Sequence, residues 1–252
     1  MDEAPPQHNA PTLSLVIPVF NEEDVLATCL DAIARQTVVP DEVIVVDNGS
    51  TDASVSIASR YPFVTLLHEG ERGIIPARNR GFNHARGDLI GRIDADSIVA
   101  PDWVETIKNY YASEGLDRAA DAVTGSAATN LPQARWIGWL AGRVFLDLGY
   151  FPISRLMVGG AVLLGCNMAI TRNAWERIRD DTSRDSNALH EDVDLSVLIH
   201  RAGGMVRHLR NLRVRTSPRS FRESPSKIWW RLRVWPVAVV RHWPVTRFRK
   251  GI

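Results

Sequence analysis

From residue 13 to residue 111 the chain alternates four times between a short apolar run and a stretch whose apolar residues recur at helical spacing. No other feature narrows the fold so far, because strands separated by helices cross over and pair in parallel. Residues 13–19 (LSLVIPV) predict a buried first strand. Asn21 follows as an N-cap with Asp24 three residues on. Leu26, Leu30 and Ile33, with Val25, Cys29 and Ala32 beside them, then give a helical apolar face reaching Gln36. The pattern goes on to predict strands over 42–46, 64–67 and 88–93. Helices are expected from the polar turn 47–52 through Arg60, over 76–85 and over 101–111. The expected architecture is an α/β doubly wound, mostly parallel sheet with flanking helices.

Such sheets bind ligands beyond the carboxyl ends of their strands. Three polar segments occupy those ends: 18–21, 47–52 and 94–96. Asp94 and Asp96 stand one residue apart where the fourth strand gives out. A hard divalent cation, Mg²⁺ or Mn²⁺, is held by one or two carboxylates together with phosphate oxygens. The plainer alternative is a pair of solvated turn aspartates. Arg72, Arg78 and Arg80 precede or open the third helix, where a helix N-terminus and guanidinium groups suit a pyrophosphate. Arg78 is the choice for the diphosphate. Further on, an apolar run over 158–164, with Gly159 and Gly160, closes in Gly165-Cys166-Asn167. His190-Glu191-Asp192 precedes a helix with Leu195, Leu198, Ile199 and Ala202 on one face. Acids are favoured there by the helix dipole alone. A carboxylate in the same place is also suited to general base catalysis on an acceptor hydroxyl.

The blocks PVFNEE, VVDNGSTD, PARNRGFNHARGDLIGRIDAD, GCNMAITRNAW and HEDVDLS follow one another in order over 13–217. In that succession the chain resembles glycosyltransferase family 2, of the GT-A nucleotide-diphospho-sugar transferase fold. The resemblance implies inverting transfer of a sugar from a nucleotide-diphosphate sugar, a UDP- or GDP-sugar, with a divalent metal (Mn²⁺ or Mg²⁺) as cofactor. It puts Pro18, Phe20, Asn21 and Glu22 at the nucleotide, with the Phe20 ring against the base; a core aromatic is the alternative. Asp47 and Asn48 match the family's acidic pair, whose second member is often an Asp reading the base edge. It further implies that Asp94, with Ala95, faces the ribose or metal and that Asp96 ligates the metal. Asn167 becomes a sugar contact, with a turn residue as the alternative. Asp192 becomes the general base, and Glu191 orients the acceptor or the base. Some relatives supply a late histidine ligand. The stretch 213–219 has none, Arg215 and Arg219 could bring positive charge to the phosphates, and His208 reads as a structural strand residue.

The 252 residues divide into a loose tail over 1–12, a catalytic domain over 13–223 and a basic aromatic tail over 224–252. Within the domain, 13–100 is the nucleotide-binding half and 101–223 the acceptor-binding half. Cys29 and Cys166 lie far apart with no C-x-x-C between them, so no disulfide framework or zinc site is suggested and a reduced, cytoplasmic setting is expected. The start of the chain lacks a secretory pattern, and Arg143, Asp147 and Arg155 interrupt the nearest approach to a membrane span, 136–164. Charge is strongly asymmetric. Residues 201–252 carry 14 Lys+Arg against one acid, Glu223, while the first 200 carry 16 basic and 28 acidic residues. Trp229, Trp230, Trp235 and Trp243 interleave with the arginines of that tail. Rings at headgroups and cations on anionic lipid predict peripheral contact with the inner face of the cell membrane. Packing back on the domain is the alternative, and no RNA-binding block accompanies the tail, so nucleic acid is not an expected partner.

The function expected is transfer to a hydroxyl of a lipid-linked or cell-envelope glycan. The first rival is a polyprenyl-phosphate glycosyltransferase like dolichol-phosphate mannose synthase. A nucleotidyltransferase is disfavoured because PVFNEE is acidic where that class carries a glycine-rich, basic loop. A catalytically silent sugar-nucleotide binding module is disfavoured by the DAD and HED blocks.

Overall fold

The computed structural model describes residues 10–129, 160–183 and 191–217. Residues 1–9 of the tail expected over 1–12, the segment 224–252, the apolar stretch before Gly160, and His190 and Arg219 lie outside the described residues. Eight strands form one sheet: β1 (Leu13–Val19), β2 (Glu42–Asp47), β3 (Val64–His68), β4 (Leu89–Arg92), β5 (Ile98–Val99), β6 (Ala122–Thr129), β7 (Met168–Thr171) and β8 (Val206–Thr216). Their spatial order is β3-β2-β1-β4-β7-β6-β8-β5. The run β3-β2-β1-β4 is wholly parallel, as the alternation requires. Beyond it β7 pairs antiparallel with β4 and β6, β8 runs parallel to β6, and β5 runs antiparallel to β8. The sheet thus passes without a break from the first half of the chain into the second.

Every residue of β1 is buried, because helices cover both faces. Leu13, Leu15, Ile17 and Val19 pack on one side with α1 (Leu26–Ala34) and α4 (Trp103–Glu114). Val16, Ile44 and Val46 pack on the other with α3 (Ile74–His84), α5 (Arg172–Ile178) and α6 (Glu191–Arg201). Each fully buried aliphatic chain contributes about 1.5–3 kcal/mol. The α3 helix lies so close to the sheet that a Cβ on Gly81 would run into Val16. The remaining α-helix among the described residues, α2 (Ser54–Ala58), is short and follows β2.

One helix start differs from expectation. Asn21 does not cap α1, which begins at Leu26 after Val25. Asn21 sits at φ 54°, in the left-handed region that Asn tolerates. Its Oδ1 accepts from Thr51 N at 2.8 Å, and its own N–H donates to Ser50 Oγ at 3.1 Å. The polar residue after β1 is spent on the turn after β2 instead of on a helix end. Asp52 does the same in reverse, accepting from Glu23 N at 3.0 Å and from Ser54 N at 2.9 Å.

Register decides what meets at the rim. Val19 is level with Asp47, and Asp47 with His68. Arg92 ends β4 opposite Val16 and faces Met168 across the antiparallel pair, so 94–96 and 165–167 emerge side by side.

Candidate active site

The turn after β4 is built by alternation. Ala95 is buried among core residues, while the flanking Asp94 and Asp96 are partly exposed. Ser97 N donates to Asp94 O at 3.0 Å and closes the turn. Asp96 Oδ2 accepts from Ser217 Oγ at 2.8 Å, which brings the end of β8 to the same place. Hard oxygen donors, partly exposed on one turn, fit a divalent cation that also takes oxygens from a phosphate. Among the described residues no three His, Cys, Asp or Glu side chains form a ready-made cage.

Behind the turn lies a buried ionic network. The Arg92 side chain is 2% exposed, and its Nη2 stands 2.7 Å from Asp94 Oδ1 and 2.6 Å from Glu191 Oε1. Although burial alone would lower it, Glu191 and then Asp94 hold the Arg92 guanidinium charged and its pKa above the ordinary value. Arg78, expected at the diphosphate, is instead wholly buried. Its Nη1 donates to Glu191 O at 3.2 Å, and Nε and Nη2 donate to Asn79 Oδ1 at 3.1 and 2.8 Å. Burial pulls its pKa down to about 10, with Glu191 opposing. The cause is phase: Ile75, Arg78 and Phe82 lie at i, i+3 and i+7 on the buried stripe of α3. Of the three arginines in that stretch, Arg72 and Arg80 are the exposed ones.

The acids that open α6 differ in situation. Glu191 is held between Arg92 and Arg78, with its side chain 14% exposed. Asp192 is half-buried and faces no cation so directly; its Oδ1 accepts from Val193 N at 2.9 Å and its Oδ2 from Gly165 N at 3.4 Å. The loop carrying Gly165 is tied down by Leu163 N to Ser196 Oγ (2.9 Å) and Leu164 N to Thr124 Oγ1 (3.0 Å). A Cβ on Gly165 would collide with Arg92 Nη1, so only glycine lets this loop close over the network. Burial pushes the neighbouring Cys166 thiol well up, and Asp94, Asp96 and Asp192 push it further against Arg92. The carboxylates of the 94–96 turn and of the α6 N-terminus therefore act on one small volume.

Asn167, read as a sugar contact or a turn residue, is neither an exposed group nor a free one. It is wholly buried, donating to Ser126 O (2.9 Å) and Leu212 O (3.1 Å) and accepting from Trp103 Nε1 (2.8 Å). It pins β6, β8 and α4 together.

At the far side of the rim Phe20 is 43% exposed, which removes the core reading of its ring. The Arg72 guanidinium lies 3.9 Å over that ring and donates to Asn48 O (2.9 Å) and Gly49 O (3.2 Å). Asp47 accepts from Ser50 N (3.0 Å), Gly49 N (3.2 Å) and His68 Nδ1 (3.2 Å). Burial opposes ionisation there, but those bonds, led by Ser50, hold the carboxyl below its usual range. The Asn48 side chain has no donor left for a base edge, since both its amide hydrogens are spent. Its amide donates to Glu69 O (3.0 Å) and Glu71 O (2.7 Å), and its Oδ1 accepts from Gly73 N (2.8 Å). Pro18 is buried within β1, and Glu22 N donates to Ser54 Oγ at 2.8 Å. Arg215 is exposed on β8, and His208 lies on the same strand with its Nε2 3.5 Å from Ser126 Oγ. The residue missed from sequence is Arg92; a charge at the buried end of a four-residue, otherwise apolar strand was the signal, since such a charge requires a partner.

The family model described as glycosyl transferase family 2 matches residues 14–176. The uncharacterized glycosyltransferase YibD of Escherichia coli (strain K12) is 37% identical over 149 residues, 54% of this chain and 43% of that protein. The chain spans less than half the length of the first curated relatives it matches. Among solved structures, the mannosyltransferase PcManGT from Pyrobaculum calidifontis, in complex with GDP-Man and Mn²⁺, superposes with a TM-score of 0.62 at 20% identity, over 95% of this chain and 76% of that one. S. aureus TarS 1-349 in complex with UDP-GlcNAc gives 0.60 at 16% identity, over 82% and 58%. At these identities the likeness is one of fold.

Proposed function

The chain belongs to glycosyl transferase family 2 and has the GT-A fold, and we propose that it is an inverting transferase moving a sugar from a UDP- or GDP-sugar to a hydroxyl of a lipid-linked or cell-envelope glycan. One observation carries the reading: through Arg92, the Asp94 turn and the acids that open α6 share one rim, at 2.7 and 2.6 Å. A donor-side and an acceptor-side carboxylate set are what an in-line sugar transfer needs.

In this reading Asp192 is the general base. The acceptor hydroxyl loses its proton to the Asp192 carboxylate as its oxygen attacks the anomeric carbon. The N–H groups of Val193 and Gly165 support that carboxylate, at 2.9 and 3.4 Å. Glu191, locked by two guanidinium groups, orients and does not itself take the proton. Asp96, with Asp94 beside it, would hold Mn²⁺ or Mg²⁺, which would supply positive charge to balance the negative charge developing on the departing nucleoside diphosphate. Phe20, exposed at the end of β1, offers its ring to the base once Arg72 is displaced, and Arg72 or Arg215 is then the exposed cation nearest in role to the one first expected of Arg78.

The reading also takes the 224–252 segment to contact anionic lipid at the cytoplasmic face of a membrane, which suits a lipid-linked acceptor. Among the described residues no helix is long and apolar enough to cross a membrane.

A thermal-shift screen of UDP- and GDP-sugars with and without Mn²⁺ tests the donor and metal together. A metal-dependent rise in Tm with one nucleotide series is expected; no shift with any of them sinks the reading. Asp192→Asn then separates acceptor classes. With a hydroxyl acceptor kcat falls by roughly 10²–10⁴. A phosphate acceptor is already ionised, so activity near the parent's would select polyprenyl phosphate.

A further inference from the structure

Arg92 stands in mid-sheet with two acidic partners drawn from distant parts of the chain. Its Nη2 alone meets Asp94 (2.7 Å) on the donor-side turn and Glu191 (2.6 Å) on α6, next to Asp192. Its backbone is fixed on both sides, level with Val16 of β1 and Met168 of β7. The loop at Gly165 closes over its guanidinium, and Arg78 holds the backbone of Glu191 from behind at 3.2 Å. Buried ion pairs are seldom better for stability than well-packed apolar side chains. Nor is this pair fully satisfied: among the described residues, Arg92 Nε and Glu191 Oε2 have no hydrogen-bond partner. Glu191 Oε2 has only Arg78 Nη1 nearby, at 3.9 Å, and a network selected for stability alone would give both atoms a hydrogen bond.

We propose that Arg92 is a positioning residue that couples the two ends of the site, holding Asp94 and Glu191 at a fixed spacing. The donor-side turn and the α6 N-terminus then move as one unit, and that unit sets the distance between Asp192 and the anomeric carbon. The proposal rests on the transferase reading. It goes beyond it by giving a task to a residue that touches neither substrate.

Arg92→Met, Glu191→Gln and the double variant test it, with Tm and kcat measured on each. Removing one member strands a buried charge, and each single variant loses on the order of 10 °C in Tm. The double variant removes the central pair together and regains part of that loss, because Asp94 is 42% exposed to water and Arg78 keeps its bonds to Asn79 Oδ1 and Glu191 O. Its kcat stays about 100-fold below the parent, no lower than that of Arg92→Met alone, because misplacement by about an ångström is enough for such a loss. Arg92→Lys adds a variant that folds even if Arg92→Met does not. One ammonium lacks the planar fork, so its Tm stays near the parent while kcat remains low. A kcat that recovers together with Tm overturns the coupling, as do additive losses in kcat for the two single changes. Turnover by the parent with those outcomes overturns the coupling alone. A parent that turns over no donor overturns the transferase reading, and the coupling with it.

Discussion

At the scale of single residues, burial separates side chains that hold the site from side chains that could touch a ligand. Asn167 belongs to the first kind. Replacing it with Leu keeps the branched shape but leaves the buried Trp103 Nε1 and Leu212 O, and the partly buried Ser126 O, without this partner. Leaving such groups unsatisfied costs about 1–3 kcal/mol apiece before relaxation, and a net loss of about 3 kcal/mol is expected. Thermal unfolding of Asn167→Leu reads this directly, as a Tm lower by roughly 6–12 °C. Donor-induced stabilisation of the folded fraction should be unchanged, and a selective loss of donor binding with normal stability would restore the sugar-contact role. Phe20→Ala is the converse case, because its ring is 43% exposed. It should leave Tm within a degree or two and weaken nucleotide binding about tenfold, given base–aromatic stacking of about 1–3 kcal/mol. Titration with UDP and GDP measures it. The same distinction explains what was legible beforehand. Residue type and order located the rim, since Asp, Asn and Glu at strand ends announce polar function. Orientation was harder to read. Arg78 looks outward as a letter at a helix start, yet its i, i+3, i+7 phase with Ile75 and Phe82 buries it, and Asn48 is consumed by carbonyls of a loop more than twenty residues away.

At the scale of elements, β1, β2 and β4 were readable because they are buried almost from end to end and read as apolar runs, whereas the partly exposed β3 was readable only by its place in the alternation. The helices that cover them were readable by periodicity. What escaped was the join between elements, where hydrogen bonds run across the sheet between turns. Asn21 and Asp52 tie the β1 and β2 ends to each other, a pairing that neither turn announces by itself. A similar tie sits at the opposite edge. Asp88, just before β4, accepts from Thr12 N (2.9 Å) and Thr12 Oγ1 (2.7 Å), just before β1. Burial opposes its ionisation, but the Thr12 bonds, with Arg172 helping, hold its carboxyl below the ordinary value. Folded, this group binds protons less readily than it does unfolded. Its contribution is therefore complete above the ordinary aspartate range near pH 3.9 and is lost as pH falls through the lower folded value. Asp88→Asn keeps the shape and removes the titration. Because the group is largely exposed, the loss at pH 7 should be only about 1 kcal/mol. Urea unfolding of parent and variant should show that gap closing toward pH 3, and a gap of equal size at both pH values would refute the assignment.

At the scale of the whole molecule, the chain divides its charge. The first 200 residues hold 28 acids against 16 bases, and the last 52 hold 14 bases against one acid. The acids include the rim carboxylates Asp47, Asp94, Asp96, Glu191 and Asp192, so the body does not favour anionic surfaces as a whole. The basic end does, and its tryptophans supply rings suited to the headgroup layer. Attraction of about 1 kcal/mol per basic residue near an anionic surface, summed over even a few of them, outweighs the repulsion of a body held further off than a Debye length of roughly 8 Å. Vesicles of mixed phosphatidylcholine and phosphatidylserine should therefore bind the full chain, bind it less in 0.5 M salt, and bind a version ending at Glu223 at least tenfold more weakly. Neutral vesicles should bind neither well. Two results would each count against lipid contact: equal binding of both chains to anionic vesicles, or a fall in Tm on truncation with no change in vesicle binding. The second would instead fit tryptophans packed back on the catalytic domain. If, as proposed, the donor binds at the rim, the truncated chain should retain its metal-dependent Tm rise, which keeps a failure of membrane binding distinct from a failure of the active site.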